Sequence, residues 1–127
     1  MQAAVWCIFS LYNAGEITKA TVLLAQTYTL ACLNGLNRLD DPNPIIPVTI
    51  KFSPVEEEEC RCTLWSLFIL DRHINYLSGR HLVINDKLWC VNYPLDDRSL
   101  QNGLRPVSLP IIRLRGIFLF SPFFLLT

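Results

Sequence analysis

The stretch that decides the fold is residues 53–80, SPVEEEECRCTLWSLFILDRHINYLSGR, which carries the start and stop signals of one long helix. Ser53 is a good N-cap, Pro54 suits the first helical position, and Glu56 stands three residues after Ser53, which makes a capping box. The glutamates of the first two turns favour the positive end of the helix dipole. Gly79 suits the left-handed backbone that ends many helices. These signals predict a helix of about 25 residues, closed at Gly79.

A carboxylate is expected on the buried side of this helix. At about 100° per residue, one stripe collects Cys60, Leu64, Leu67, Phe68, Asp71 and Ile74. Asp71 lies near the centre of the stripe, and an unpaired buried carboxylate is costly, so we expect Asp71 to have a partner. Arg61, Trp65 and Arg72 lie on an adjacent face, and Arg80 can fold back toward the same region.

Two interpretations of Asp71 stay open. In the favoured one, a buried ion-pair and hydrogen-bond network fixes how the helices and the following segment pack. In the other, the carboxylate is a polar anchor inside an apolar ligand pocket. Neither is catalysis, because a lone Asp71 beside Arg72 lacks an activated nucleophile.

Two further helices are predicted upstream. The first covers residues 2–14 and stops at Gly15, and its apolar side chains share one side: Val5, Ile8, Phe9 and Tyr12. The second runs from about residue 16 or 18 to residue 34, and Gly35 ends it where left-handed backbone is required. One face of this second helix collects five residues: Leu23, Gln26, Thr27, Leu30 and Leu33.

Less regular chain is predicted between and after the helices. Residues 36–52 form a proline-rich loop. Residues 80–97 predict an extended chain laid across the helices, and from Arg98 onward no amphipathic period is evident. The expected fold class is therefore all-α, with about three main helices and an irregular C-terminal tail.

Composition limits the classes of function that suit this chain. It is 51% hydrophobic and 17% charged, and its eleven basic residues cancel eleven acidic ones, so no net field attracts nucleic acid or an acidic membrane. The five cysteines are predicted to be reduced, and Cys60 and Cys62 would point about 200° apart on a helix, which argues against a zinc site. The apolar run at residues 117–126 has about half the length that a membrane-spanning helix needs. No phosphate-binding glycine loop or nucleophile elbow occurs, so an enzyme is not expected.

Seven residues match a known pattern in register: Glu58, Arg61, Trp65, Asp71, Arg72, Gly79 and Arg80. The pattern is roughly E-x-x-R-R-x-x-W-x-x-x-x-x-D-R-x-x-x-x-x-x-G-R-P. It is typical of the regulatory middle homology region of fungal transcription factors with a six-cysteine binuclear zinc cluster, which residues 4–97 of this chain resemble. The segment from Gly35 to Arg38 is similar to the end of that family's preceding helix. Two positions depart from the pattern: Cys62 stands in place of an arginine, and His81 in place of a proline.

The resemblance implies an all-helical, non-enzymatic regulatory domain that takes part in the control of DNA-templated transcription in the nucleus. It implies that residues 1–104 are part of the middle homology region and that residues 105–127 are an apolar tail outside it. It also marks six positions as structural or effector-pocket candidates: Arg61, Trp65, Asp71, Arg72, Gly79 and Arg80.

DNA contact in that family comes from an N-terminal zinc cluster followed by a linker and a coiled coil, and no such sequence occurs here. The expectation is therefore a fragment that does not bind DNA directly and holds no cofactor of its own, zinc being expected only in the family's N-terminal cluster. The partners implied are a small effector, another protein or a second copy of the chain. The alternative function is a small helical protein that associates with partners or membranes through the apolar tail, residues 105–127.

Overall fold

Three helices and a following extended segment make up the part of the chain that the computed structural model describes, which is residues 1–45, 48 and 50–95. The helices are α1 (Gln2–Asn13), α2 (Ile17–Leu33) and α3 (Pro54–Asp71). Short 3₁₀ turns cover Leu36–Arg38 and Asp86–Leu88. No strand occurs within these described ranges. The prediction of an all-α fold with three main helices is confirmed.

The predicted helix ends agree with the structure at all three glycines. Gly15, Gly35 and Gly79 have φ of 80°, 73° and 65°, the left-handed backbone that glycine adopts without a steric penalty. At the start of α3, the Ser53 hydroxyl accepts a bond from the Glu56 N–H at 3.3 Å, and the Glu56 carboxylate accepts one from the Ser53 N–H at 2.8 Å. The capping box is therefore formed, and it fixes where α3 begins.

The continuous helix expected up to Gly79 is wrong in one respect. The α-helical pattern stops at Asp71, and a π turn covers Arg72–Tyr76. Just beyond it, the Arg80 N–H donates to the Asn75 carbonyl five residues back, at 2.8 Å. The wider turn falls where Asp71 and Asn75 are both fully buried, and single π turns inside helices are frequent at functional sites.

The core lies between the three helices. The connection between α1 and α2 is three residues long, which makes the two helices antiparallel neighbours, and α3 packs against both. The buried apolar residues of the described chain come from the three helices, the turn after each of α2 and α3, and the extended segment that follows: Ile8, Ala20, Leu24, Tyr28, Ala31, Leu36, Cys60, Leu64, Trp65, Leu67, Phe68, Leu70, Ile74, Ile84, Trp89 and Val91. On α1 the predicted side is confirmed, since Ile8 is buried and Val5, Phe9 and Tyr12 pack against the core.

The buried face of α2 differs from the one that the sequence indicated. The residues that α2 buries are Ala20, Leu24, Thr27, Tyr28 and Ala31. Leu30 and Leu33 are 61% and 69% exposed. Because Lys19 is the single charged residue of α2, apolar periodicity does not select one side. The packed side includes two alanines, whose small side chains allow close approach of neighbouring helices.

The segment after α3, residues 81–95, is called the strap below. It runs without regular structure apart from its short 3₁₀ turn, as the sequence predicted for this part of the chain. Asn37, in the turn after α2, accepts a bond from the Cys90 N–H at 2.8 Å, and its side chain donates to the Leu88 carbonyl at 3.1 Å. The Asp40 N–H donates to the Cys90 carbonyl at 3.1 Å. The strap therefore lies against the turn that follows α2.

No helix in the described part of the chain combines the length and the hydropathy that crossing a bilayer requires. The predicted boundary at residue 104 and the apolar tail, residues 105–127, lie outside the described residues.

Candidate functional site

The Asp71 carboxylate is the centre of a buried polar cluster on α3. Asp71 is fully buried, and four donors surround its two oxygens. Oδ1 accepts from the Val83 N–H at 3.0 Å and from Asn75 Nδ2 at 2.7 Å. Oδ2 accepts from the Ile84 N–H at 3.1 Å and from Arg72 Nη1 at 2.7 Å. Two of the four donors are backbone groups of the strap, so this carboxylate holds the strap to the end of α3.

Arg72 binds both the Asp71 carboxylate and the strap. Its guanidinium donates to the Ile84 carbonyl at 3.2 Å and forms an ion pair with Asp86. The guanidinium carbon lies 4.2 Å from the centre of the Phe68 ring, a cation–π arrangement. Arg72 therefore binds a carboxylate of α3, a carbonyl and a carboxylate of the strap, and an aromatic face at once.

Asn75 extends this group to α2. Its amide donates to Asp71, and its Oδ1 lies 3.4 Å from the Thr21 hydroxyl of α2, within hydrogen-bond reach. We call Asp71, Arg72, Asn75 and Asp86 the Asp71 cluster. It connects α2, the end of α3 and the strap through polar contacts at one place.

A second polar group surrounds Arg61, near the middle of α3. Arg61 is 5% exposed. Its Nε and Nη2 bind Asp40 in a two-pronged ion pair, at 3.0 Å to Oδ2 and 2.6 Å to Oδ1. Its Nη1 reaches Glu58 at 2.8 Å, and Nη2 also reaches Glu57 at 3.0 Å. We call Arg61, Asp40, Glu57 and Glu58 the Arg61 cluster.

The Arg61 cluster also holds the strap. Asp40 Oδ2 accepts from the Asn92 N–H at 2.7 Å, and Glu58 Oε1 accepts from the Leu95 N–H at 2.5 Å. Three carboxylates surround one guanidinium, which cannot by itself satisfy all of their oxygens. The two backbone N–H groups of the strap donate additional hydrogen bonds to these carboxylates.

Burial lowers the pKa of Arg61, but the hydrogen bond and charge of Asp40, followed by Glu58 and Glu57, outweigh it, so the pKa lies above its usual range. Arg61 is therefore charged at every pH at which the protein folds. Its ion pairs persist for as long as the surrounding carboxylates stay ionised.

Between the two clusters, an aromatic group covers the strap. Trp65 donates from its indole nitrogen to the Asn92 carbonyl at 2.7 Å. Its ring lies 5.2 Å from Phe68, 5.7 Å from Trp89 and 5.4 Å from Tyr93, measured between centroids. Trp89 and Tyr93 belong to the strap, so Trp65 combines a directed hydrogen bond with apolar packing on the same segment.

Four of the six predicted positions converge on the strap, and two do not. Trp65, Asp71 and Arg72 contact it directly, and Arg61 holds it through its partners Asp40 and Glu58. Gly79 ends the helical segment, and the exposed Arg80 extends its guanidinium to the Thr18 hydroxyl of α2, 3.5 Å away, instead of folding back onto Asp71. The roles of all six as signature or effector-pocket residues stay a prediction.

The sequence reasoning missed the partners that complete both clusters. Asp40 lies 21 positions before Arg61, and Asn75 was not singled out although it is fully buried. One signal was present for Asn75, because it follows Asp71 by four positions and therefore lies on the same side of a helix. No short-range signal connects Asp40 to Arg61.

The polar side chains of the two clusters are engaged with one another and with the backbone of the strap. Each buried carboxylate of the two clusters is bound to an arginine, an amide or a backbone N–H. The arrangement is suited to holding the strap in one position at two places.

Comparison with known proteins gives two relatives, both fungal regulators. Over 112 residues the chain is 25% identical to the pigment biosynthesis transcriptional activator pigB of Monascus ruber, which covers 84% of this chain and 20% of that protein. Over 55 residues it is 34% identical to the sorbicillinoid biosynthetic cluster transcription factor 1 of Penicillium rubens, which covers 43% of this chain and 9% of that protein. No family model and no solved structure matches the chain. The chain therefore spans a fifth or less of the length of these relatives, and what it is similar to is a group of fungal transcription regulators.

Proposed function

We propose that this chain is a regulatory, non-enzymatic part of a fungal transcription regulator, corresponding to the middle homology region of the zinc-cluster family. The single observation that carries the proposal is that Arg61, Trp65, Asp71 and Arg72 all hold the strap, Arg61 through its carboxylate partners. These four residues belong to the pattern by which the chain resembles that region. The similarity to two fungal transcription factors supports the same assignment.

The mechanism that the geometry supports is a change in how the strap is held. The strap is bound mainly by side chains of α3 that accept from its backbone, together with the aromatic contacts of Trp65. An effector or partner that binds the released strap better than the held one would shift the population toward release. In a regulator, such a shift would change how this region contacts the DNA-binding or activating parts.

The proposed role is indirect with respect to DNA. The eleven basic residues of the chain are balanced by eleven acidic ones, and duplex binding depends on an excess of positive charge at the contact surface. We therefore assign this chain a place in the nucleus as part of a regulator, with no contact to the promoter of its own.

A reporter assay in a fungal host tests the proposal. The full chain is placed between a heterologous DNA-binding domain and an activation domain, and reporter output is compared with that of a fusion carrying an inert helical domain of the same size. We expect the chain to change the output, and Asp71→Asn or Trp65→Phe to shift it toward the level of the inert fusion. His81→Ala, an exposed change in the strap, is the matched control and should leave the output unchanged.

Equal output from the chain and the inert domain, with both fusions present at equal levels in the nucleus, would contradict a regulatory role. A second readout is gel-shift binding of the isolated chain to random-sequence duplex DNA. Binding at physiological salt would overturn the indirect assignment.

A further inference from the structure

The outward face of α2 is apolar and uncharged along nearly its whole length. Val22, Leu30 and Leu33 are 52%, 61% and 69% exposed. Gln26 and Thr29 are the exposed residues between them. At about 100° per residue, these five side chains fall within a sector of about 100°, so they form one continuous stripe. We call these five residues the α2 outer face.

A surface helix ordinarily places charged residues on the side opposite the core. On α2, however, Lys19 is the last charged residue, and none follows it until Arg38. The α2 outer face therefore has the composition of a contact surface rather than that of a solvated one.

The area of this face indicates the kind of occupant. Its three exposed apolar side chains offer on the order of 300 Å², whereas a stable protein–protein interface buries about 800 Å² on each partner. The face is thus too small to hold a second copy or a separate protein in a stable complex. A segment tethered to the same chain is suited to so small a surface, because its effective concentration is in the millimolar range.

One segment of this sequence has the matching chemistry and length. Residues 117–126, IFLFSPFFLL, contain no charged residue and lie outside the described part of the chain. Extended, ten residues span about 33 Å, compared with about 25 Å for the seventeen residues of α2. The residues between Leu95 and Ile117 span up to about 70 Å, more than twice the diameter of about 30 Å expected for a domain of this size.

We propose that residues 117–126 dock on the α2 outer face of their own chain. The interaction is apolar, since neither residues 117–126 nor the α2 outer face carries a charged side chain. This inference goes beyond the regulatory role and is independent of it.

Photo-crosslinking within the full chain tests the proposal. The photoreactive residue p-benzoylphenylalanine replaces Phe120 or Phe124, and the cross-linked peptides are mapped by mass spectrometry. An equal mixture of ¹⁵N-labelled and unlabelled chains separates cross-links within a chain from those between chains. We expect cross-links within one chain, concentrated between residues 18 and 34. Val22→Glu should reduce their yield at least about fivefold, since a charge at the contact costs on the order of 1 kcal/mol.

Val55→Glu is the matched control, because Val55 is 55% exposed on α3, away from this face. It should leave the yield unchanged, and the circular dichroism of both variants should match that of the parent chain. Cross-links that fall mainly outside α2 would overturn the proposal. So would cross-links only between chains, or a yield lost equally in both variants. If phosphatidylcholine vesicles bind residues 117–126 and the cross-links to α2 disappear, the segment inserts into a bilayer instead of docking on α2, and the proposal is overturned.

Discussion

At the scale of single residues, Arg61 of α3 and Arg72 of the π turn differ in how far their surroundings bury them. Arg61 is buried among three carboxylates, whereas Arg72 is half-buried between Asp71 and Asp86 and lies over an aromatic ring. Asp71 is the residue with the most to lose, because it has no exposure to water and four donors depend on it. Removing it takes the acceptor away from the Val83 and Ile84 N–H groups and from the Asn75 amide.

Asp71→Ala is therefore expected to lower the free energy of unfolding by about 3–5 kcal/mol, the cost of breaking a buried charged pair from one side. Asp71→Asn keeps one acceptor oxygen and should cost less, which provides a folded variant if the alanine variant fails to fold. Urea denaturation followed by circular dichroism measures both. Glu59→Gln, an exposed change on the same helix, is the control and should stay within about 0.5 kcal/mol of the parent. A loss under 1 kcal/mol for Asp71→Ala would contradict the network described.

Gly79 is a position where a side chain can be added to test backbone strain alone, because the added atom would contact no neighbour. Its φ is 65°, and a Cβ built there would meet no atom within 4 Å. Gly79→Ala should therefore cost only the left-handed backbone penalty, about 1–2 kcal/mol. Gly79→Asn should cost less, since asparagine tolerates this backbone region. Thermal unfolding of the two variants checks the order, with Ser78→Ala as control. An alanine variant as stable as the parent would contradict the prediction, because it would show that position 79 does not need the left-handed backbone.

At the scale of the elements, α3 is the organising helix because it has both a defined start and two polar clusters along its length. Its capping box places Glu56 so that the carboxylate accepts from the Ser53 N–H, and this hydrogen bond lowers the pKa of Glu56 below its usual value. A carboxyl whose pKa is lower in the folded than in the unfolded state contributes stability above the unfolded pKa. That contribution is lost as the pH falls through the folded pKa.

Acidification should therefore destabilise the parent chain more than it destabilises Glu56→Gln. Melting temperatures are measured at pH 7 and at pH 3 for both chains, and the difference of the two drops isolates the contribution of the cap. All other ionisable groups are the same in both chains, so their contributions cancel in this comparison. Glu59→Gln serves as the control for removing a glutamate of the same turn region. Equal drops for the parent chain and Glu56→Gln would contradict a capping role for this carboxylate.

The sequence predicted the helices well where local chemistry sets their limits. Gly15, Gly35 and the capping box at Ser53 are signals within a few residues, and each is found where it was expected. The buried side of α2 was not predictable in the same way, because this helix is apolar on every side and its packing partners decide. The π turn after Asp71 depends on backbone hydrogen bonds between residues five positions apart, and these leave no signature in the sequence.

The candidate site was predicted in part for a related reason. Asp71 was identified by its place in an apolar stripe, and Arg61, Trp65 and Arg72 by the pattern that the chain resembles. Asp40 lies in the segment between α2 and α3, 21 positions before Arg61, and only the fold brings the two together. Contacts of long sequence separation are the part that single-sequence reasoning does not reach.

At the scale of the whole molecule, the described chain is a three-helix body closed by a strap. The strap has little regular structure of its own, and its position depends on α3, on the turn after α2 and on a group of aromatic rings. The two clusters share no residue, so we expect one to hold its half of the strap when the other is loosened. One half follows Gly79, and the other surrounds Asn92.

Hydrogen exchange of the full chain, resolved by NMR, should reveal these two halves. The amides of Val83, Ile84, Asn92 and Leu95 donate to carboxylates, so we expect them to exchange at least about a hundredfold more slowly than unstructured amides. Asp71→Asn should reduce protection at Val83 and Ile84 while leaving Asn92 largely protected. Exchange at the unstructured rate for all four would contradict the hydrogen bonds described. A uniform loss in Asp71→Asn would show that the strap opens as one unit.

The carboxylates of α3, together with Asp40 before it, bind the strap through backbone N–H groups, and this has a consequence for mutational tolerance. Every amino acid except proline carries that group, so the hydrogen bonds at residues 83, 84, 92 and 95 place little demand on side-chain identity. The strap is free to change the side chains that it turns outward, while Asp71, Asp40 and Glu58 are not free to change. A family built on this plan would vary its outer surface from member to member over an unvarying set of acids beneath.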